Sequence, residues 1–595
     1  MILPVKITSN KGASKDNLDY GQFRKWLTPI WARATIHPDE NKPPVQVGTA
    51  LAFIIRRSAI QLTFHEEMEV PHSGTKNLAL GLFDRYGRLK EEISQHPLRR
   101  GSGVWKKELD DGNLVLIEEV EVERNYRRKG IGLNLVLHIL EQAMMPQYNV
   151  SYAFACAAAH DDDDYGAGNA EPANLPHCAK VEAVVSFLRS VRFRRVGITS
   201  WFALARDKGH PSWRLARNED VDPKPQVADM IDSDSDEEMI LCNPDFTQTR
   251  VSKDEWEARW LGKTPKQKPA ITSRKRPLHY AVKTLPDQKA LTFLKSHTRD
   301  GVPGTLSLET VDGRGDTVLH VAAQVSKPAC VEWLLRQPAK AQLIKTRNYA
   351  GYTPLETLQS ELENRRVQAP HGFQRAQLLA DKFDGFDEDS VICLLLLQGI
   401  NEPSVEQRMR AKFGCSCGKC LNGFLSSRML MKLRDQAQLQ RDFLASLVPP
   451  GDVSWYAEFK DLLQRLPESL RNRIRRSKPI QRAFVLLVGA VAECLSRGKI
   501  PHKATVLAHL EATGAREHVE SQYFALGGTV AAITGAIFDN TKLHDIEVGE
   551  AIIDATLEEY YNGTPSCRND LEFEFARRHC VDDDIPDKEK DKPLP

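Results

Sequence analysis

The spacing of apolar and polar positions changes several times along the chain. From Val47 to Ile60 the run VGTALAFIIRRSAI is rich in apolar and β-branched residues and predicts a strand. Leu78, Leu80 and Leu82 alternate with smaller residues and predict a second strand before a turn at Asp84 to Gly87. Asn113 to Glu123, NLVLIEEVEVE, is the clearest strand. A glycine-bearing turn, Arg127 to Gly132, follows it, then an amphipathic helix with Leu133, Val136, Leu137 and Leu140 on one side. Another strand is expected over Val150 to Ala159, a helix from Lys180 to Val191 and a last strand over Gly197 to Arg206. This alternation predicts an α/β domain with a mixed sheet and flanking helices over 46–209. Residues 1–45 are polar around an aromatic cluster, Trp26 to Trp31, and read as a loose arm or one short helix.

Beyond that domain, 210–270 carries the acidic run Asp232 to Met239 and the basic, proline-containing stretch Lys263 to Arg276. Such a segment cannot bury enough apolar surface to fold alone and reads as a disordered charged linker. The basic stretch reads as solvated linker, with a nuclear localisation signal as the sharper alternative. Three segments then repeat one pattern: RPLHYAV (276–282), GDTVLHVAA (315–323) and GYTPLETL (351–358), with Leu278, Leu319 and Leu355 in register 41 and 36 residues apart. From there to 575 the periodicity is helical, with segments expected at 376–400, 426–447, 456–476, 479–497 and 519–538. The final stretch, 581–595, is charged, proline-bearing and expected to be disordered.

At 595 residues the chain exceeds one hydrophobic core several times over, so it is read as multidomain. The net charge of +1, with no nucleic-acid motif, argues against a nucleic-acid partner or an anionic membrane surface. The longest apolar runs, Ser390 to Ile400 and Ala483 to Ala492, are shorter than the roughly 20 residues of a bilayer span, so no membrane segment is expected. The N-terminus lacks the features of a secretory signal, which makes an intracellular location, cytoplasm or nucleus, the expectation. The 11 cysteines then read mostly as reduced thiols.

The stretch VEVERNYRRKGIG, Val120 to Gly132, lies between the clearest strand and the amphipathic helix. It resembles motif A of GNAT acetyltransferases, (Q/R)-x-x-G-x-(G/A), matched by Arg127, Gly130 and Gly132. The resemblance implies that the amides of Arg128, Lys129, Gly130, Ile131, Gly132 and Leu133 hold the pyrophosphate of acetyl-CoA. It also implies that the backbone of Val120 and Val122 pairs with the pantetheine arm. The physics of the segment agrees: glycines permit close backbone approach, a helix N-terminus favours negative charge, and Arg127, Arg128 and Lys129 add positive charge. The plainer alternative is an ordinary strand-to-helix turn with exposed basic residues.

Val185 to Ala205, VSFLRSVRFRRVGITSWFALA, resembles the helix, turn and strand that close the same fold. There the family places an aromatic acid, commonly Tyr, four residues before a Gly-Phe pair. This chain has Leu188 and the pair Arg192 and Phe193. The acid is therefore absent from its usual place, with Ser190, Tyr152 or water as substitutes. A base is needed to deprotonate an amine acceptor, since lysine titrates at about 10.4. The resemblance favours Glu118, with Glu121 second; either also reads as a solvated edge carboxylate. Alternation puts Glu118 on one side with Val120 and Val122, and Glu119, Glu121 and Glu123 on the other. Asp161 to Asp164 read as a solvated loop or as the mouth of a site for a cationic acceptor.

The repeated segments resemble ankyrin repeats, whose helix pairs bury a core only by stacking. The resemblance gives His279 and His320 a structural role and makes the turn tips, near Arg314 and Asn348 to Tyr349, the surface for a protein partner. FGCSCGKC, Phe413 to Cys420, brings Cys415, Cys417 and Cys420 within reach of one Zn²⁺. Cys393, Cys567, Cys580 or His502 would supply a fourth ligand, and buried or reactive thiols are the other reading. The region 401–580 is similar to a helical region of fungal ankyrin proteins. Together these resemblances imply an N-acetyltransferase acting on an amine substrate with an ankyrin module for a protein partner. The alternative is an ankyrin scaffold whose GNAT-like domain binds acyl-CoA without turnover.

Overall fold

A computed structural model describes residues 5–11, 20–37, 43–157, 177–222, 238–242, 248–252, 271, 274–298, 306–367, 382–447, 463–542, 559–561 and 563–581. The chain divides into two compact units, one formed by the described residues up to 222 and the other by those from 238 onward.

The first unit is an α/β domain built on a seven-stranded mixed sheet. Its strands are β1 (Val5–Lys11), β2 (Leu27–Ile36), β3 (Val45–Ile55), β4 (Asn113–Val122), β5 (Val150–Cys156), β6 (Arg194–Arg195) and β7 (Trp201–Ala205), in the order β1-β2-β3-β4-β5-β7-β6. Every pairing is antiparallel except that of β4 with β5. Both faces are covered. Helices α1 (Phe64–Glu69) and α2 (Ser73–Leu82) lie on the face with Phe53, Leu114, Leu116 and Phe154; α3 (Ile131–Ala143) and α4 (His177–Ser190) lie on the face with Ala52, Val115 and Ile117.

Three expectations change here. The stretch read as a loose arm supplies β1 and β2, because Ile30, Ala32, Ala34 and Ile36 are buried on one face while Leu27 and Trp31 are buried on the other. The strand expected at Leu78 to Leu82 is the helix α2, in which Thr75, Leu78, Ala79 and Leu82 are buried at helical spacing while Leu80 is only partly covered. The domain also runs past 209: the buried Asp220 accepts a hydrogen bond from Arg189 Nε at 2.6 Å and from the Arg195 amide at 2.9 Å. Within the stretch read as disordered linker, β8 (Glu238–Cys242) and β9 (Gln248–Ser252) form an antiparallel hairpin. Asp161 to Asp164, most of Lys263 to Arg276 and the tail from 582 lie outside the described residues.

The second unit is helical. Two helix pairs come first, α5 (Pro277–Thr284) with α6 (Asp287–His297) and α7 (Val318–Gln324) with α8 (Pro328–Leu334), followed by α9 (Pro354–Val367) and α10 (Glu388–Leu397). One apolar core runs through all six, from Leu278 to Leu395, and on to Ala411. The turns between pairs are tied by histidine: His279 Nε2 donates to Asp316 O at 2.9 Å and His320 Nε2 to Tyr352 O at 3.0 Å. Thr317 caps α7, its hydroxyl 2.8 Å from His320 Nδ1. These bonds engage both ring nitrogens of His320 and Nε2 of His279 in holding the turns.

Further on, α11 (Val405–Lys412), α12 (Ser427–Leu447), α13 (Lys478–Ser496), α14 (Val530–Lys542) and α15 (Phe573–Val581) continue the unit. The helix expected over 519–538 is broken: one helix ends at Gln522, Gly527 turns left-handed at φ 86°, and α14 begins at Val530. Among the described residues, α13 is long and apolar enough to cross a bilayer, at 19 residues, although the apolar runs in the sequence look too short. Its apolar side, Ile480, Phe484, Leu487, Val491 and Leu495, is buried within the helical unit. Arg366 is fully buried between the rings of Phe383 and Phe575, with Glu572 Oε1 at 3.6 Å, and so links α9 to α15.

Candidate functional site

In the first unit the predicted site residues lie where β4 runs on past the end of its pairing with β5. The ladder joins Asn113–Ile117 to Val150–Ala155 with one register shift after Asn113, and among the described residues, which on β5's side stop at Ala157, no pairing continues beyond it. β4 nevertheless runs on to Val122, held by β3 on its other side. The Glu123 amide donates to Val47 O at 3.0 Å, so alternation along the antiparallel ladder directs the backbone groups of Val120 and Val122 away from β3, toward the side on which β5 has ended. β5 ends at Cys156, so Glu118 to Val122 of β4 have no described strand on that side.

The turn after β4 leads into α3. Gly130 is the residue before the helix at φ 79°, and an added Cβ would meet nothing within 4 Å, so the backbone angle alone calls for glycine there. Arg128 also sits at positive φ, 62°. The first helical bond runs from the Asn134 amide to Gly130 O at 3.0 Å, which leaves the amides of Ile131, Gly132 and Leu133 ahead of any intrahelical partner. At Gly132 an added Cβ would stand 3.6 Å from Val122 and 3.7 Å from Phe187, ordinary contacts, so packing inside the chain does not demand glycine. Arg127, Arg128 and Lys129 are exposed. The Arg127 guanidinium donates to Val122 O at 2.9 Å, and the Lys129 ammonium lies 5.0 Å from the centre of the Tyr126 ring.

Glu118 is not where alternation puts it. Register against β3 passes from Leu51 opposite Glu119 to Ala52 opposite Ile117, so Glu118 is the extra residue of a β-bulge. The bulge shifts the pleat by one position. Val120 and Val122 pack on the α3 face, whereas Glu118 faces α2. There it meets His72, with Nδ1 3.2 Å from Oε1, and it occupies the space where any side chain at residue 74 would begin: a Cβ on Gly74 would fall 1.6 Å from Oε2. The carboxylate thus sits at the start of α2, where the helix dipole favours negative charge. The hydrogen bond to Glu118 raises the His72 pKa above its ordinary value. His72 Nδ1 also lies 3.1 Å from the Gly74 amide, which only an unprotonated nitrogen can accept, so a proton on Nδ1 favours the Glu118 contact and a bare Nδ1 the Gly74 contact. Glu121 is exposed further along β4, opposite Thr49.

His72 was not legible beforehand, since reading 78–82 as a strand concealed the helix start at Ser73 that places it. The substitutes for the absent acid fare poorly. Leu188 is a core residue at 4% exposure. Ser190 donates its hydroxyl to Phe187 O at 2.6 Å. Tyr152 lies opposite Leu114, in the closed part of the β4–β5 ladder, three register positions before its last pair. Arg192, where the resemblance to GNAT enzymes expects glycine, has φ 72°.

In the second unit Cys415, Cys417 and Cys420 come together with Cys567, their sulfurs all within 4.8 Å of one another, a group that could hold a metal ion. The other candidates for a fourth ligand lie elsewhere. Cys393 is in the core formed by the helix pairs, Cys580 is buried on α15, and His502 Nδ1 is 3.1 Å from Cys580 O. Comparison of the chain with family models, with curated proteins and with solved structures found no match.

Proposed function

We propose that the first unit is an acyl-CoA-dependent N-acetyltransferase of GNAT type and that the helix pairs of the second unit are ankyrin repeats serving a protein partner. The observation that supports the reading is the stretch of β4 that runs past the end of β5 beside the turn and the start of α3. A cofactor with an extended amide-bearing arm and a pyrophosphate needs both features at once: strand edge for the arm, and converging amides with nearby positive charge for the phosphates. Gly132, not required by internal packing, leaves room for such an approach. Cytoplasm or nucleus, where acetyl-CoA is made and thiols stay reduced, suits this reading.

In the transfer an amine nitrogen attacks the thioester carbonyl carbon, the carbon–sulfur bond breaks, and CoA leaves as thiolate. Glu118 takes the proton from the amine, directly or through water, and His72 orients the carboxylate. Water protonates the thiolate, a fairly good leaving group, because Leu188 offers no acid. Leu188 is also what favours the second reading, a scaffold that binds acyl-CoA without turnover.

Calorimetric titration of acetyl-CoA into the protein, with a thiol-release assay over a pool of amines and peptides, tests both. Binding with CoA release supports the enzyme; binding without release supports the scaffold; no binding removes the reading altogether. Glu118→Gln is expected to slow release by about 10²–10⁴-fold while acetyl-CoA still binds. An unchanged rate would remove Glu118 from the mechanism.

A further inference from the structure

We propose that Cys415, Cys417, Cys420 and Cys567 form a closed tetrathiolate zinc site that fastens the C-terminal segment to the loop after α11. The spacing of the sulfurs is the first argument. Tetrahedral zinc with bonds of about 2.3 Å separates its sulfurs by about 3.8 Å. Here Cys415 and Cys417 are 3.7 Å apart, Cys417 and Cys420 3.9 Å, and Cys420 and Cys567 3.4 Å. A disulfide would bring one pair to about 2.05 Å and leave the others behind. All four sulfurs instead lie within 4.8 Å of one another.

The surroundings suit thiolate rather than thiol. The Lys419 amide points at Cys417 Sγ from 3.4 Å, Asn569 Nδ2 lies 3.7 Å from Cys420 Sγ, and the Ser416 hydroxyl lies 3.7 Å from Cys567 Sγ. Donors of this kind stabilise sulfur ligands and fix their orientation. Gly418, at φ 70° between Cys417 and Cys420, permits the tight turn that aims the Lys419 amide at sulfur. Cys567 is held independently by Asp570, whose carboxylate accepts from the Cys567 amide at 2.9 Å. With four protein ligands no coordination position remains for substrate, so the role is structural.

The consequence is topological. Cys420 and Cys567 are 147 residues apart, and Arg568 and Asn569 are bonded into the cysteine loop through the Ser416 hydroxyl and Gly423 O. One ion closes that long loop and holds the short 3-10 turn Arg568–Leu571 that precedes α15.

The test is metal analysis of the full chain, purified with reductant and without a metal-binding tag. One zinc per chain is expected, with an X-ray absorption spectrum giving a shell of four sulfurs at about 2.3 Å. Cys567→Ser is expected to lose the metal, and Cys494→Ser, a buried cysteine outside the cluster, to keep it. A metal-free wild-type chain after incubation with zinc, a disulfide among the four, a shell with nitrogen or oxygen, or a Cys567→Ser chain that retains full zinc would each overturn the proposal. The absorption spectrum is read on wild-type protein and does not depend on the variants folding.

Discussion

Arg192 shows how one residue can depart from its neighbourhood. It is exposed, yet its φ of 72° lies in the left-handed region that favours glycine. No packing in the described residues compensates its side chain for that angle. Arg192→Gly is therefore expected to raise the stability of the α/β unit by about 1 kcal/mol, read from thermal or denaturant unfolding. Glu118 is the opposite case: a residue whose chemistry was legible and whose direction was not. Strict alternation joins it to Val120 and Val122; a single extra residue in β4 turns it to His72 instead. Nothing in NLVLIEEVEVE announces a bulge, because the pairing that creates one belongs to β3.

Elements show the same division. Helix α3 was readable because its apolar stripe repeats at helical spacing and a glycine marks its start. The stretch at 78–82 was misread because Leu78, Leu80 and Leu82 satisfy a period of two while Thr75, Leu78, Ala79 and Leu82 satisfy the helical one, and burial chose the latter. In the helix pairs, the turn holding Asp316 carries a cost. Burial, with Asp312 nearby, raises its carboxyl to about 6, even though Asn348 Nδ2 donates to it at 2.8 Å. A carboxyl raised above its unfolded value favours the fold only while protonated, so stability falls as pH rises from about 4, where the unfolded carboxyl titrates, to about 6, where the folded one does. Asp316→Asn keeps the acceptor oxygen and removes the charge. It is expected to add about 3 kcal/mol at pH 8, roughly half of that at pH 5 and little at pH 3, measured by parallel melting curves.

At the scale of the molecule, the two units have separate cores: one around the two faces of the sheet, the other through the helices. Chemistry proposed for one should then be insensitive to the integrity of the other. Stripping metal from the full chain with a mercurial reagent is expected to lower the melting temperature of the helical unit and to leave the affinity for acetyl-CoA unchanged within twofold. A parallel loss of both would mean that the units stand or fall together. Arg366 makes a related point within the helical unit: a buried guanidinium between two phenyl rings, facing Glu572, joins helices more than 200 residues apart in the chain.

What the sequence determined by itself was local: strand against helix wherever one period dominated, the glycine-marked turn between β4 and α3, the repeated Leu-His segments and the three cysteines of one short loop. These depend on neighbours within a few turns, and the chain states them directly. The tertiary structure decided the rest. It drew Val5–Lys11 and Leu27–Ile36 into the sheet, set the bulge that reverses Glu118, brought His72 to it, and chose Cys567 among four candidates to complete the cysteine cluster. Each of those outcomes rests on contacts between segments far apart in the chain, where the partner, rather than the local pattern, fixes which way a side chain points.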